Sequence, residues 1–389
     1  MTEPNVMAPH TALTIIPVPG VPEIREGDDL PKLLSAAIRG CGEQLRAGDI
    51  LVLASKVLSK SLGLRRHGTR DQAIAEETLR VVCERRAGDR WTRVVEAAAG
   101  PVMAAAGVDA SNVGDDGGVL VLPRDPDAAA ARILDGLRAA LDWAPTEPLG
   151  LIISDTAGRP WRGGVSDFAL GSAGVHVLND HRGGTDADGR VLDVTVIAVA
   201  DEIAAAADLV KAKSSATPLA IVRGLPWASA TPGLPGARQL VRTGPGDWFR
   251  VGHIEAVRAA LGVDPGSSDS ERIGIRGPAL DPLEARVARL VRLALHGTGT
   301  GTGTDTDTDA GRLNAGTGTT ADTNTNTNIS TDQINVTVTG PEIRLTAADP
   351  YLRGRLHARL EVAAYAEDLR VSAWREESDS VLLTFIERG

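Results

Sequence analysis

Leu149-Gly150-Leu151-Ile152-Ile153-Ser154-Asp155-Thr156-Ala157-Gly158-Arg159-Pro160-Trp161-Arg162-Gly163-Gly164 joins an apolar run to an acidic and hydroxylic end. The run is too short for an ordinary helix and reads as a buried strand over Leu149 to Ser154. The glycines and the proline after it read as a loop. In folds that mix strands and helices, chemistry concentrates on loops at strand ends. Asp155 and Thr156 put a carboxylate and a hydroxyl there. Hard oxygen donors of this kind suit Mg²⁺ or Mn²⁺, commonly shared with substrate phosphates. Arg159 and Arg162 add planar donors that match a phosphate or carboxylate.

Outward from this stretch, short apolar runs alternate with helical patterns. Strands are expected at Leu13 to Val18, Ile50 to Ala54, Arg93 to Glu96, Gly118 to Leu122, Val191 to Ala200 and Leu219 to Val222. Helices are expected at Leu30 to Leu45, Arg70 to Arg86, Ala128 to Ala140 and Asp201 to Lys213. The mixture predicts an α/β or α+β domain over residues 12–262. Residues 263–296 read as a helical extension, opened by Asp281-Pro282 and carrying Leu283, Val287, Leu290, Val291 and Ala294 at helical spacing. Residues 297–330 alternate Thr with Gly, Asp or Asn. Ordering such a tract would cost chain entropy with little burial to offset it, so a disordered linker is expected. Its GxG repeats lack the feeding strand of a dinucleotide fingerprint. Residues 331–389 read as a small α+β module, with strands at Ile334 to Leu345 and Leu369 to Ile386 around a helix from Tyr351 to Asp368.

Three further segments carry candidate chemistry. Pro17-Val18-Pro19-Gly20-Val21-Pro22 fixes the backbone just after the first strand, as a rigid turn or a binding loop. Ser55-Lys56-Val57-Leu58-Ser59-Lys60 comes after the strand at Ile50 and reads as a turn offering hydroxyls and ammonium groups to phosphate oxygens. Ala106-Gly107-Val108-Asp109-Ala110-Ser111-Asn112-Val113 offers a carboxylate and an amide, or an Asx-turn. The chain has no GxxxxGK[ST] loop, which excludes a P-loop.

The chain has 389 residues, enough for two or three cores, and its 42% hydrophobic and 24% charged content fits a globular protein. A formal net charge of −10 argues against nucleic acid and anionic membranes as partners, so an anionic ligand needs local positive groups or metal ions. Cys41 and Cys83 lack the spacing of a zinc site or a disulfide framework. Met1 to Leu13 carries no basic-then-apolar leader, so a cytoplasmic location is expected. His176 and His181 read as packing or surface residues.

Taken in order, the four segments resemble the coenzyme F420:L-glutamate ligase family. So does the stretch from Val199-Ala200-Asp201-Glu202-Ile203 through Thr217-Pro218-Leu219-Ala220-Ile221-Val222-Arg223-Gly224. The resemblance covers about residues 12–262. It implies the F420-0:gamma-glutamyl ligase fold, an intertwined homodimer, and amide formation between F420-0 and L-glutamate driven by GTP through an acyl phosphate. By position it implies nucleotide contacts at Gly20, Val21, Pro22, Ser55, Lys60 and Asn112, and metal ligands at Asp109, Asp155 and Thr156. Two Mg²⁺ or Mn²⁺ ions per site are expected, with K⁺ as a further candidate. Lys213 stands where the resemblance implies a ligand for the second metal. An ammonium cannot ligate a cation, so Lys213 is expected on the nucleotide phosphates and Glu202 as the substitute ligand. Arg159 and Arg162 are assigned from their chemistry alone to an anionic substrate group. A metal-dependent phosphotransferase or phosphatase on the same scaffold, and a non-catalytic nucleotide-binding subunit, are the competing readings.

Overall fold

A computed structural model describes residues 12–111, 117–211, 216–298, 327–330 and 333–388. Asn112, Lys213 and residues 299–326 of the Thr-rich tract lie outside the described residues. The chain divides into two compact units, the first taking residues up to Arg80 and 94–248, the second 81–93 and 249 onward.

In chain order the elements up to the first unit's last strand are Thr14–Val18 (β1), Leu30–Gly40 (α1), Ile50–Ala54 (β2), Ser55–Ser61 (α2), Arg65–Arg66 (β3), Arg70–Glu76 (α3), Thr78–Ala87 (β4), Arg90–Ala97 (β5), Val102–Ala104 (β6), Val119–Leu120 (β7), Pro126–Ala140 (α4), Gly150–Arg159 (β8), Arg162–Ala173 (β9), Asn179–Asp180 (β10), Val196–Ile197 (β11), Val199–Lys211 (α5) and Leu219–Arg223 (β12). The central sheet runs β1-β12-β2-β8-β9. Only β2 and β8 within it are parallel, in register from Ile50 opposite Gly150 to Ala54 opposite Ser154. Their apolar runs are continuous because helices cover both faces. Ile50, Val52 and Ile152 pack with Ala200, Ile203, Ala204 and Ala207 of α5. Helix α4 takes the other face. It approaches β9 so closely at Gly171, opposite Ile153, that a Cβ there would fall 2.5 Å from the Pro126 carbonyl. Asp125 caps α4 by accepting from Ala128 N–H at 3.0 Å, and Pro126 suits its first turn. Each fully buried Ile, Leu or Val of this sandwich contributes roughly 1.5–3 kcal/mol.

Four expected elements come out differently. The helix foreseen over Arg70 to Arg86 ends at Glu76, and Thr78–Ala87 is a strand paired in the β4-β5-β6 sheet. No glycine or proline marks the change, and only the β5 partner across the Gly88-Asp89 turn makes the strand favourable. Ser55 to Lys60 is the helix α2 rather than a turn. The loop expected after Ser154 is a long hairpin, with Asp155 opposite Phe168, Thr156 opposite Asp167, and Arg159 opposite Arg162. Of Val191 to Ala200, only Val196–Ile197 is a strand, and α5 already begins at Val199.

The second unit adds His253–Ala260 (α6), Ser268–Ile273 (α7), Leu283–Leu295 (α8), Thr327–Ser330 (β13), Ile334–Thr339 (β14), Glu342–Ala347 (β15), Pro350–Ala366 (α9), Leu369–Glu376 (β16) and Ser380–Glu387 (β17). Its antiparallel sheet runs β13-β14-β15-β17-β16. Ile254, Val263, Val287 and Leu290 share one core with Val336, Leu345, Leu356 and Phe385. A boundary at 262 and a separate extension over 263–296 are therefore corrected: the α8 stripe and the sheet bury each other, and neither could bury its apolar face alone. The last four residues of the Thr-rich stretch are strand β13, paired with β14.

Candidate functional site

Because β2 and β8 are parallel and in register, the end of β2 at Ala54 lies level with Ser154 of β8, and the segment after β2 meets the part of β8 that runs on into its hairpin. Helix α2 starts directly after β2, so Ser55 and Lys56 sit on its first turn. Strand β8 continues into Asp155. The Ser55 hydroxyl donates to Asp155 Oδ1 at 3.0 Å. Asp109 reaches the same pocket, which is lined by Ser55, Lys56, Ser59, Asp109, Leu120 and Asp155 among others.

The route to Asp109 is strained. Ala105, Ala106 and Gly107 are successively left-handed, at φ 54°, 52° and 71°. Such a conformation costs an alanine roughly 1–2 kcal/mol. Gly107 could not carry a Cβ, which would lie 2.3 Å from Leu122 Cδ1. Asp109 then pairs by backbone with Leu120, accepting from its N–H at 2.8 Å and donating to its carbonyl at 3.0 Å. Its Oδ1 accepts from both Ser111 N–H and the Ser111 hydroxyl at 2.7 Å, the Asx-turn that the sequence offered. Its Oδ2 lies 2.7 Å from Lys56 Nζ, which also donates to the Ser111 carbonyl at 2.8 Å.

The two carboxyls are thereby set apart. Burial pushes Asp109 up, but Lys56 and Ser111 outweigh it and hold the group below the usual carboxylate range. Burial pushes Asp155 up to about 6 against the hydrogen bonds from Ser55 and Thr156 N–H, and the carboxylates of Asp167 and Asp109 add to the rise. Asp155 thus stands between two negative groups with only neutral donors upon it, an arrangement that a cation would relieve.

Side chains alternate along β8, so Ser154 and Thr156 point to the face opposite Asp155. Both donate to Asp167 of β9, Ser154 Oγ to Oδ2 at 2.8 Å and Thr156 Oγ1 to Oδ1 at 2.7 Å. Lys211, the last residue of α5, donates to the same Oδ2 at 2.8 Å and to Ser154 Oγ. Asp167 and Lys211 were not singled out from sequence. A signal existed: Ala200, Ile203, Ala204, Ala207 and Lys211 form one helical stripe, and a lysine on the buried stripe requires an acidic partner.

The remaining candidates separate. Lys60 pairs with Glu23, which brings α2 to the loop carrying Gly20, Val21 and Pro22, with Gly20 at φ 83°. Glu202 is exposed on the first turn of α5, nine residues before Lys211 and so about 14 Å away along the helix. Glu202 does not line the Asp109–Asp155 pocket; Asp201 beside it turns inward, accepting from Ala169 N–H at 2.9 Å. Arg159 and Arg162 are exposed at the hairpin tip, four residues and about 13 Å beyond Asp155. They lie outside the pocket of their own chain. A second cleft holds Asp28 and Asp29 beside Pro31, Leu58, Arg132 and Ile133, but Asp28 accepts from Arg25 N–H and Asp29 from Lys32 N–H as local turn and helix caps, and the cleft is set aside on that ground.

A profile of the family F420-0:Gamma-glutamyl ligase matches residues 20–224, which include Ser55, Asp109, Asp155, Asp167 and Lys211. The chain belongs to this family. The coenzyme F420:L-glutamate ligase of Methanothermobacter thermautotrophicus is 39% identical over 233 residues, 55% of this chain and 90% of the relative. That of Methanopyrus kandleri is 37% identical over 260 residues, 61% and 98% of the two chains. That of Archaeoglobus fulgidus is 39% identical over 232 residues, 54% and 87%. Membership makes the protein an enzyme of the ligase class. Among the described residues no helix is long and apolar enough to cross a membrane.

The site's donor set can be weighed against the metal that the family resemblance implies. Among the described residues no three His, Cys, Asp or Glu side chains stand together as a cage. Two carboxylates do converge, one of them buried among like charges. That fits Mg²⁺ or Mn²⁺, which take one or two protein carboxylates and complete their shell with water and phosphate oxygens.

Proposed function

We propose that the protein is a cytoplasmic coenzyme F420-0:L-glutamate ligase that uses GTP and a divalent metal and acts as a homodimer. The observation that supports it most is the convergence of Asp109 and Asp155 beside the end of β2, inside the segment matched to the family. In the reaction, a carboxylate oxygen of F420-0 attacks the γ-phosphorus of GTP and GDP departs. The amine nitrogen of glutamate then attacks the acyl carbon, phosphate leaves with the C–O electron pair, and the nitrogen loses a proton.

The residues have separable parts in this. Asp109 and Asp155 would hold one metal ion, and Thr156, on the other face of β8, would be left for the second. When bound, Mg²⁺ or Mn²⁺ neutralises the phosphates and orients the in-line transfer. The Ser55 hydroxyl fixes the Asp155 carboxylate. Lys56, paired with Asp109 and lining the pocket, would supply an ammonium to a bound phosphate. Lys60 and the Gly20 to Pro22 loop flank the nucleotide, joined by Asn112 and Lys213. Incubation with GTP, Mn²⁺, L-glutamate and F420-0 should yield F420-0 heavier by one glutamyl unit, with one GDP and one phosphate per amide formed. Phosphate release that is indifferent to glutamate would instead identify a phosphatase.

A further inference from the structure

We propose that the Ser59 hydroxyl is a third protein oxygen of the Asp109–Asp155 pocket, accepting a hydrogen bond from a water in the shell of the bound divalent ion. The proposal rests on the metal-dependent reading of that pocket and deepens it. Ser59 lines the pocket together with the two carboxylates and is 1% exposed. It comes four residues after Ser55 and three after Lys56 on α2, so the three side chains are neighbours on the helix surface. The other two are committed. Ser55 Oγ donates to Asp155 Oδ1 at 3.0 Å, and Lys56 Nζ lies 2.7 Å from Asp109 Oδ2. Among the described residues, Ser59 is the one polar side chain of the lining without a hydrogen-bond partner.

Buried hydroxyls are normally bonded, and a helical serine can satisfy itself on a carbonyl one turn back. Ser35 and Ser61 do so, donating to the Lys32 and Leu58 carbonyls at 2.9 Å each. Ser61 belongs to the same helix as Ser59, so helix geometry does not forbid the bond. The free hydroxyl instead borders a space of about 30 Å³, enough for one or two water-sized groups. Leu120, Val121 and Leu122 bring no polar side chain to that space. A hard divalent ion held by one or two carboxylates keeps several waters. A water whose lone pair faces the cation has only its protons to give, and both carboxylates are also engaged with α2. Ser59 Oγ can accept such a proton, and its own remains for a further acceptor.

Three measurements on Ser59→Ala, with Ser61→Ala as a control on the same helix, test this. They are calorimetric titration with Mn²⁺ alone, melting in excess chelator, and the Mn²⁺ dependence of ligation. Ser59→Ala should weaken Mn²⁺ binding about five- to tenfold, the effect of one lost hydrogen bond. The Mn²⁺ needed for half-maximal ligation should rise by a similar factor, with kcat at saturating Mn²⁺ nearly unchanged. Its melting temperature in chelator should equal or exceed that of the parent, because the metal-free protein loses no bond. Ser61→Ala should do the reverse, melting lower with parental Mn²⁺ affinity. Parental Mn²⁺ affinity in Ser59→Ala would overturn the proposal. So would a lower melting temperature in chelator, the mark of a structural hydroxyl. Equal weakening in both variants would overturn it as well, since the helix and not the hydroxyl would then be responsible. Calorimetry needs no turnover, so failure of the parent to ligate glutamate would overturn the proposed function and leave these affinities standing.

Discussion

Asp155 in the first unit and Glu367 in the second are both carboxylates that burial pushes above their ordinary range, yet their surroundings are opposite. Glu367, 1% exposed, accepts from Arg289 Nε at 3.1 Å and Nη2 at 2.7 Å. Arg289 in turn lies 2.8 Å from Asp281, and Arg286 donates to the Glu367 and Asp368 carbonyls. Every charge in that cluster meets an opposite charge or a carbonyl supplied by the chain. Asp155 meets the Ser55 hydroxyl, with Asp109 and Asp167 as its charged neighbours. The first arrangement is complete by itself and locks a core. The second is unfavourable by itself and would be relieved by a cation, which is how a binding site differs from a structural cluster.

Substituting each acid should therefore act in opposite directions. Asp155→Asn should lower ligation about a thousandfold or more if Asp155 holds the proposed metal, which would supply several kcal/mol of charge stabilisation. The same variant, freed of metal with a chelator, should melt higher than the parent. With the folded pKa raised from 3.8 to about 6, the ionised group opposes folding, by about 3 kcal/mol at most. The penalty is absent below about pH 4, grows as pH rises, and is full above about pH 6. The melting advantage should thus be present at pH 7.5 and vanish at pH 4. A lower melting point at pH 7.5 would break the contrast.

Glu367→Gln should do the reverse. It leaves Arg289 short of a buried partner and should cost about 3–5 kcal/mol in chemical denaturation. Ligation per folded molecule at 25 °C should stay at the parental rate, and a kinetic defect there would put the second unit into the mechanism. Lys56→Met sharpens the first half of the comparison. It removes the one ammonium bonded to Asp109, so nucleotide affinity should fall ten- to hundredfold, or roughly 1.5–3 kcal/mol, in calorimetric titration. Unchanged affinity would keep Lys56 on Asp109 in every state. The smallest effect is expected from deleting half of residues 299–326 while leaving β13 intact. Loop closure should then become easier by roughly 0.6 kcal/mol, a slight rise in denaturation midpoint. A fall would show that the tract contributes contacts.

Much of the site was legible because its residues lie where local patterns end. Asp155 comes after a buried apolar run, and Ser55 after another, so both could be marked without any knowledge of pairing, although β8 runs on past Asp155 to Arg159. Helix direction was not legible: Glu202 is exposed on the first turn of α5, whereas Lys211 at its last turn reaches Asp167. The setting of Arg159 and Arg162 was not legible because turn residues such as Gly158 and Pro160 read as a loop. The structure makes them the tip of an extended hairpin.

What the sequence determined by itself was local and periodic: the buried strands Ile50–Ala54 and Leu219–Arg223, the capped helix Pro126–Ala140, the acidic strand ends and the family. Such features depend on neighbours a few residues apart. Tertiary structure alone decided that Thr78–Ala87 is a strand, because its hydrogen bonds exist only with the strand paired beside it. It alone decided that residues 254–295 and 334–385 share one core, because neither could bury its apolar face unaided. And it alone joined Asp167 to Lys211, 44 residues apart, because a buried charge selects its partner by distance in space.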